Sequence, residues 1–539
     1  MKELKLEELS LNQKLGMVTC GIVHCEGRTA ESDEYLLNLI RNHSLGAVWV
    51  GPDAVDFDEI MGKIKEAADY PILILTDAES GLDEYKIGKH NALGMTDSEE
   101  LAYTFGKITA IKARKRGYNV VCSPILDVVN YSGICGGNVR SVGSDKYRVT
   151  ALSKAEAQGM HDGGVLTVGK HYPSAQKKVA EGERAVDSHM AESKGYDTEE
   201  ELIENCLYAY NELSDAGVLD GIMTSHRRMV NIDDTRPTSL SKKVISIIRD
   251  QGFDGFVITD ALSMMGVVAK YGLIDPKGMS IEAGNDIALA WTNDTKEAFD
   301  AVCDCYKRGL ISDERLDEAA KRVLQAQHKV MMLEPKAENI TAEDIALFKK
   351  IATDGIYARV DEGLPTQISR DGRHYFMVLT GNETQINDAG KVDVATFVEN
   401  IWCGGWYNTK RILDKIAELF PNSDSVAVRE YPTTVEVQKA LENASDYDDV
   451  VFITYQDAAA YAGKECLTAR VVSMIDSLQV TGSVSTVVHF GNPYVLEDLV
   501  HIPRIIIGGC AQESVDAAFE VLIGNYPAKG SLTYDVKFE

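Results

Sequence analysis

The sequence predicts an α/β protein in which a (β/α)8 TIM-type barrel precedes an α/β/α sandwich domain. Eight short apolar runs alternate with amphipathic helical patterns in the first part of the chain, as a parallel barrel requires. The alternation resumes after a polar stretch, KAENITAEDI. Five of the first eight runs end at polar side chains, which is where barrel strands present their functional residues.

The eight candidate strands are apolar runs that are too short for convincing helices. They span residues 17–23, 46–50, 71–77, 119–127, 165–170, 221–225, 256–260 and 286–291. Helical patterns between them include 98–117, 198–217 and 239–252. Several of these begin with Ser or Thr and close with Gly, as helix caps prefer.

A helical pattern that stops near Pro335 marks the end of the barrel. We predict a barrel domain at 1–337, a linker with a connecting helix at 338–370, and a sandwich domain at 371–539. Sandwich strands are expected near 375–380, 425–428, 450–454, 485–490 and 504–507. This second domain has neither GxGxxG after its first strand nor GxxxxGK[ST], which argues against nucleotide binding.

Composition narrows the classes of partner. The formal net charge of −28 disfavours binding to nucleic acid and to anionic membranes. No window approaches eighteen uninterrupted apolar residues, and the segment MKELKLEELS lacks the apolar core of a signal peptide, so a cytoplasmic location is expected. Ten scattered cysteines without a CxxC pair argue against a disulfide framework or a zinc site.

Polar side chains at the carboxyl ends of the barrel strands are the first candidates for a functional site. They are Asp77, Asp127, Lys170 with His171, Ser225 with His226, and Asp260. Because the carboxyl ends of barrel strands converge on one face, these five clusters are expected to share one cleft. For Asp260 alone, capping of the following helix is the competing interpretation.

Two further constellations are candidates for chemistry. Asp187 lies two residues before His189, and on an extended loop its carboxylate could fix the imidazole tautomer and raise its basicity. The alternative is a surface loop with a local Asx turn. Lys170 and His171 end an apolar strand and could bind several hydroxyls of a ligand. The alternative is that both are structural, Lys170 in a salt bridge and His171 as a buried, partnered histidine.

The order of these motifs resembles that of glycoside hydrolase family 3, and within it the branch of β-N-acetylglucosaminidases. The motifs that carry the resemblance are KHYP at 170–173, DSH at 187–189, MTSH at 223–226, GFVITDALSMMG at 255–266 and IEAGNDI at 281–287. The resemblance also includes LNQKLGMVT, DAESG, SPILDV and RSVGSD in the first domain, and NPYVLEDL in the second.

The resemblance implies a role for individual residues. Asp260 would be the nucleophile, and His189 the general acid and base, supported by Asp187. Four residues match positions that bind sugar hydroxyls: Asp77, Arg140, Lys170 and His171. The family needs neither a metal nor another cofactor. The histidine dyad distinguishes this branch from the family's β-glucosidases, which use a Glu of the second domain and have Trp after the nucleophile, where this chain has Ala261.

The chain also departs from the branch. The segment between His171 and His189 is longer than usual, and Tyr85 stands where the branch has a substrate-contacting Arg. DAESGL replaces DQEGGR, and TDA replaces SDD. These changes fall mostly in substrate contacts rather than in the nucleophile or the dyad.

The resemblance therefore implies a retaining exo-glycosidase that removes terminal β-linked N-acetylglucosamine, or a close analogue, through a covalent glycosyl-enzyme intermediate. Alternatives are a phosphorylase that uses the same dyad, a β-glucosidase, and an inactive barrel that only binds sugar. The expected partner is a carbohydrate substrate. The sequence does not decide the oligomeric state, and a homodimer is one of the alternatives. The exact sugar, the leaving group and any contribution of the second domain are also left open.

Overall fold

The computed structural model describes residues 1–25, 27–129, 139–174, 186–380, 384–386, 392–394, 407–456 and 467–538. The chain forms two compact units. The barrel unit comprises Met1–Tyr85, Ala102–Val128 and Lys146–Phe348. The sandwich unit comprises Lys86–Leu101, Val129–Asp145 and Lys349–Glu539.

The barrel unit contains a parallel sheet whose seven strands follow each other in chain order. The strands are Cys20–Val23, Ala47–Val50, Leu73–Thr76, Val120–Val121, Leu166–Tyr172, Gly221–Thr224 and Phe256–Thr259. Almost all of their side chains are buried, which is why they read as short continuous apolar runs in the sequence. The predicted fold class, a TIM-like barrel followed by an α/β sandwich, is confirmed.

The eighth position of the ring differs from the prediction of a strand at 286–291. Isolated parallel bridges join Ile258 to Ile287 and Thr19 to Ala288, and these close the ring without a regular strand. The carboxylate of Asp286 accepts the backbone N–H of Val257 at 2.8 Å, in a place where a regular ladder would use a main-chain carbonyl. The side chain therefore interrupts the ladder that the apolar run predicted.

Helices surround this sheet in the barrel unit. They are Leu11–Met17, Ala30–Arg41, Phe57–Ala67, Glu99–Arg116, Lys146–Gly163, Glu199–Glu201, Leu207–Asp215, Lys242–Asp250, Met265–Tyr271, Asp275–Ala283, Thr295–Lys307, Asp313–Met332 and Ala342–Asp354. Glu99–Arg116 and Ala342–Asp354 each cross the division between the units. Short 3-10 turns lie at Leu6–Glu8 and Thr238–Leu240. A π-helical segment, Leu202–Cys206, interrupts the single helix that the sequence predicted over 198–217.

Small strand pairs fix the loops of the barrel unit. Lys194–Gly195 pairs in parallel with Arg228–Met229. Gly81–Leu82 and Tyr85–Lys86 form another two-stranded sheet. The first pair joins the loop after residue 186 to the loop that follows strand Gly221–Thr224, so it restrains both loops at the carboxyl end of the barrel.

The sandwich unit is built on a six-stranded sheet. In spatial order its strands are Tyr357–Val360, Arg504–Gly508, Val484–Gly491, Asp449–Gln456, His374–Leu379 and Asp424–Val428. The first strand is antiparallel to its neighbour, and the remaining pairs are parallel. This edge strand, Tyr357–Val360, lies in region 338–370, where the sequence predicted a linker and a helix. It was not predicted, because a four-residue run carries too little periodicity to be recognised.

The remaining elements of the sandwich unit are mostly amphipathic helices. They are His90–Thr96, Thr409–Leu419, Thr434–Ala444, Ala469–Gln479 and Gln512–Leu522. A 3-10 helix spans Pro493–Asp498, and a hairpin joins Thr384–Ile386 to Val392–Val394. Among the described residues of the whole chain, no helix is both long and apolar enough to cross a membrane.

Candidate active site

Asp260 lies immediately after the last regular strand of the barrel, Phe256–Thr259. Its backbone N–H donates to the Thr224 carbonyl at 2.8 Å, so parallel pairing with the neighbouring strand continues to this residue. The Ala261 N–H donates to Oδ1 of Asp260 at 2.7 Å. The carboxylate is therefore held at the carboxyl end of the barrel sheet, as the strand-end argument predicted.

The electrostatic surroundings of Asp260 keep its carboxylate ionised. Burial by itself would raise the pKa of Asp260. The nearby imidazoles of His171, His226 and His189, together with the Ala261 N–H, outweigh burial and lower the pKa below its ordinary value. Three histidines that lie far apart in the sequence thus act on one carboxylate, which is the condition for an anionic nucleophile in a partly buried site.

His226 is a buried support of the Asp260 loop. Its Nε2 lies 2.9 Å from the Ala261 carbonyl oxygen, and its Nδ1 lies 2.8 Å from Oγ of Ser239. A carbonyl only accepts hydrogen bonds, so Nε2 carries the proton and the Ser239 hydroxyl donates to Nδ1. Burial lowers the pKa of His226, which favours this neutral form. The ring fixes the main chain beside Asp260.

Asp187 and His189 form a hydrogen-bonded pair. Nδ1 of His189 lies 2.7 Å from Oδ1 of Asp187, and the same oxygen accepts the His189 backbone N–H at 2.9 Å. The Asp187 side chain is 3% exposed and the His189 ring 27%. The segment is a tight turn and not an extended loop, so the alternative of a local Asx turn is present together with the pairing. The Asp187 carbonyl also accepts the N–H groups of Met190 and Ala191, which closes the turn. The carboxylate places the imidazole proton on Nδ1.

The turn that carries His189 is bound to the start of helix Met265–Tyr271. The Met265 N–H donates to the His189 carbonyl at 3.2 Å, and the Gly266 N–H donates to the Ser188 carbonyl at 3.0 Å. Because the helix begins five residues after Asp260, these two bonds fix the dyad close to that carboxylate. The influence of His189 on the pKa of Asp260 agrees with this proximity.

The Lys170 ammonium lies between two carboxylates, those of Asp77 and Glu79. Its Nζ lies 2.8 Å from Asp77 and 3.1 Å from Glu79, and its side chain is only 2% exposed. The Asp77 side chain is 47% exposed, so the buried ammonium is neutralised by a carboxylate that still reaches solvent. A buried, neutralised cation beside an accessible carboxylate offers both a donor and an acceptor to a polyhydroxylated ligand.

His171 is oriented by Asp127. The imidazole Nδ1 lies 2.8 Å from Oδ2 of Asp127, and the His171 backbone N–H donates to Oδ1 at 3.0 Å. This bidentate contact fixes both the ring and the end of strand Leu166–Tyr172. Both residues were candidates because they lie at the ends of predicted strands, but no local pattern indicated that they pair.

Arg140 lies in the sandwich unit and is partly buried. Its contact with sugar, which the resemblance implied, stays a prediction. The longer segment between His171 and His189 includes residues 175–185, which lie outside the described residues. Glu79 was missed as a partner of Lys170, although the DAESG motif contained it. Within the described residues, no group of three or more His, Cys, Asp or Glu side chains is arranged to hold a metal ion.

Together these side chains define a class of protein. An ionised carboxylate, an imidazole with its own carboxylate, and a buried ammonium with acidic partners have the chemistry that a nucleophile, a proton carrier and hydroxyl-binding groups require. This combination, at the carboxyl end of a barrel, belongs to an enzyme that acts on a polyhydroxylated substrate.

The family follows from comparison with known proteins. Residues 5–326 match the model of the glycosyl hydrolase family 3 N-terminal domain. The match covers more than half of the chain, and the chain therefore belongs to glycoside hydrolase family 3. The resemblance stated from the motifs is confirmed, and the protein is a glycoside hydrolase.

The curated relatives of this chain include several β-hexosaminidases. That of Tolumonas auensis is 28% identical over 251 residues, which cover 45% of this chain and 72% of the relative. The β-hexosaminidase LpqI of Mycobacterium tuberculosis is 27% identical over 310 residues, which cover 53% of this chain and 76% of the relative.

Solved structures share the fold over nearly the whole chain. The family 3 β-N-acetylglucosaminidase from Paenibacillus sp. str. FPU-7 aligns with a TM-score of 0.77 and 22% identity, covering 98% of this chain and 100% of that one. The β-glucoside phosphorylase BglX aligns with a TM-score of 0.78 and 22% identity, covering 98% and 94%. At this identity the likeness shows the fold.

Proposed function

We propose that this protein is a retaining exo-glycosidase that removes terminal β-linked N-acetylglucosamine, or a close analogue, by double displacement. The β-hexosaminidase relatives support the sugar. The observation that carries the mechanism is the Asp187–His189 pair, bound through Met265 and Gly266 to the helix that follows Asp260. This arrangement supplies a proton carrier and a nucleophile to the same site.

In the first step, Asp260 attacks the anomeric carbon and forms a glycosyl ester. His189 donates its Nε2 proton to the glycosidic oxygen, so the leaving group departs as a neutral alcohol while its bond to the sugar breaks. Before this transfer the ring is an imidazolium, which the adjacent Asp187 carboxylate stabilises. The lowered pKa of Asp260 keeps the nucleophile anionic under the same conditions.

In the second step, His189 acts as a base. Its Nε2, now unprotonated, accepts a proton from water as the water oxygen attacks the anomeric carbon. The ester bond to Asp260 breaks, and the carboxylate is restored. Two inversions at one carbon give net retention of the β configuration. Asp187 keeps the ring in the tautomer that presents Nε2 in both steps.

The sugar ring is held by the polar groups around Lys170. The Lys170 ammonium, its partner Asp77 and the imidazole of His171 provide donors and acceptors for adjacent hydroxyls. Arg140 is proposed as a fourth ligand, by its match to the family motif. Two of these groups are pre-oriented by carboxylates, which reduces the entropy lost when the sugar binds.

Labelling with a mechanism-based fluorosugar tests the nucleophile. A 2-fluoro glycosyl donor that suits the enzyme should inactivate it and leave one sugar adduct on the peptide that contains Asp260, as detected by mass spectrometry. Asp260→Asn should prevent the adduct. Labelling of a different carboxylate would contradict the assignment.

A panel of aryl β-glycosides tests the sugar and the acceptor. N-acetylglucosaminides should be cleaved in preference to the N-acetylgalactosamine, glucose and xylose analogues, with release of the free sugar. The same panel with inorganic phosphate distinguishes the acceptor, because phosphorolysis releases a sugar 1-phosphate only when phosphate is supplied. Phosphate-dependent turnover would replace hydrolysis in the proposal.

A further inference from the structure

Two exposed methionines flank the proposed acid. Met190 follows His189 in the chain, and Met265 donates its backbone N–H to the His189 carbonyl at 3.2 Å. Their side chains are 49% and 43% exposed, whereas the neighbouring Met264 is 2% exposed. Methionine is among the side chains most often buried, and two exposed ones on the segments that hold a proton carrier place apolar surface next to the proposed chemistry.

The two methionines belong to the two segments that meet beside the dyad, and we call this pair of residues the methionine platform. Met190 donates its N–H to the Asp187 carbonyl at 3.0 Å, which closes the turn that carries His189. Met265 opens the helix to which this turn is bound. The main chain of both residues is therefore held by the same bonds that hold the acid, and the platform keeps a constant position relative to it.

The described charged residues that follow each methionine in the chain, Glu192 and Lys270, have partners of their own. Along the turn, the Glu192 carboxylate pairs with Arg228 at 2.9 Å, and Arg228 also pairs with Asp234. Along the helix, Lys270 donates to the Thr235 carbonyl at 3.1 Å. Within the described part of the chain, these neighbouring charges therefore have partners of their own, and the platform contributes two exposed apolar side chains.

If His189 is the general acid, as the proposed function states, the platform lies on the leaving-group side of the site. A general acid must lie within hydrogen-bond reach of the glycosidic oxygen. The group bonded beyond that oxygen then lies against the residues that flank His189, while the sugar ring lies against Lys170 and its partners. Methionine is flexible and polarisable, and it packs well against aromatic edges and irregular apolar groups.

We infer that Met190 and Met265 form a leaving-group subsite that favours an apolar or aromatic aglycone over a hydrophilic one. The contact exists only until the aglycone departs, so it acts on the first step of the reaction. The kcat/KM value reports that step, whereas hydrolysis of the glycosyl ester proceeds after the aglycone has left.

The test uses two β-N-acetylglucosaminides whose phenol leaving groups have the same pKa, one carrying an alkyl chain and the other a polyhydroxylated chain. The wild-type enzyme should favour the alkyl substrate in kcat/KM by about tenfold, the value that a few dozen Å² of buried apolar surface produces. The double variant Met190→Ser with Met265→Ser should abolish this preference. Its deglycosylation rate, measured by trapping the glycosyl enzyme and following its decay, should equal that of wild type.

Met332→Ser is the matched control, because Met332 is 66% exposed at the end of another helix. This control should keep the wild-type preference. An unchanged preference in the double variant would overturn the subsite, and so would an equal loss on both substrates, which would mean that the methionines only position His189. If no N-acetylglucosaminide were cleaved, the proposed function would fail first, and the subsite would fail with it.

Discussion

Replacing Gly266 with alanine should displace the proposed acid while the barrel stays folded. A Cβ at this position would lie 2.9 Å from the Ser188 carbonyl oxygen and 3.1 Å from that of Ala191. Both oxygens belong to the turn that carries His189, and both are main-chain atoms that cannot rotate away. The turn must therefore retreat from the helix.

The size of this displacement can be worked out from the contact distances. Ordinary C···O contacts begin at about 3.3 Å, so the carbonyl of Ser188 has to move by about 0.4 Å. Since a misplacement of about 1 Å can cost about 100-fold in rate, 0.4 Å corresponds to a loss of about sixfold. The loss should fall on proton donation, because Asp260 and the groups around Lys170 are untouched.

The assay is kcat/KM on aryl N-acetylglucosaminides that span a range of leaving-group pKa. Gly266→Ala should lose about sixfold on poor leaving groups and less than about twofold on the best ones, which need little protonation. Gly62→Ala is the matched control, because Gly62 also lies within a helix and a Cβ there meets nothing within 4 Å. A loss that is independent of the leaving group, or no loss at all, would refute this account of how His189 is positioned.

Three further predictions concern single side chains. Asp187→Asn removes the carboxylate 2.7 Å from Nδ1 of His189, so kcat/KM on poor leaving groups should fall by about 10²- to 10⁴-fold, and a fall below about tenfold would contradict its role. Because the pKa of Asp260 lies below its ordinary value, kcat/KM should not decrease as the pH falls to about 4. A pH–rate profile, with reassay at neutral pH to exclude inactivation, checks this. A decrease in kcat/KM centred above about pH 5 would contradict it. Burial lowers the pKa of His489 in the sandwich unit to about 4. The unfolded chain therefore binds a proton at a higher pH than the folded chain does, and the folded state is favoured in full only while both are unprotonated, above about pH 6.5. This contribution to stability, about 3 kcal/mol, is lost as the pH falls towards 4. Thermal denaturation of His489→Gln should therefore show a weaker pH dependence than wild type between about pH 7 and about pH 4.5, and equal dependence would exclude the effect.

Polar residues at the ends of apolar runs predicted which residues belong to the site, but not which of them contact each other. Asp260, Lys170 and His171 were identified because a polar residue after an apolar run marks the end of a buried strand. The partner of Lys170, however, lies 93 residues away at Asp77, and the partner of His171 lies 44 residues away at Asp127. Such pairings depend on strand order and register, which local patterns do not contain.

The dyad illustrates the same limit at short range. The DSH triplet predicted that Asp187 and His189 interact, and the distance between them agrees. The local Asx turn, which was the alternative interpretation of the triplet, is also present, because Oδ1 of Asp187 accepts the His189 N–H. The triplet did not predict the bonds that join this turn to Met265 and Gly266, which lie in a distant segment. Likewise, the apolar run at 286–291 predicted a regular strand, but the Asp286 side chain replaced one of its ladder bonds.

Asp286 changes how losses of activity near this site should be interpreted. Its side chain is fully buried, and Arg249 and Arg315 bind it at 2.7 and 2.6 Å. Neutralising it would leave clustered guanidinium groups without their shared anion at the junction where the ring closes. A mutational survey would therefore register position 286 as essential, although the defect would be one of assembly. Soluble yield and thermal stability, measured beside turnover, separate such a position from Asp260.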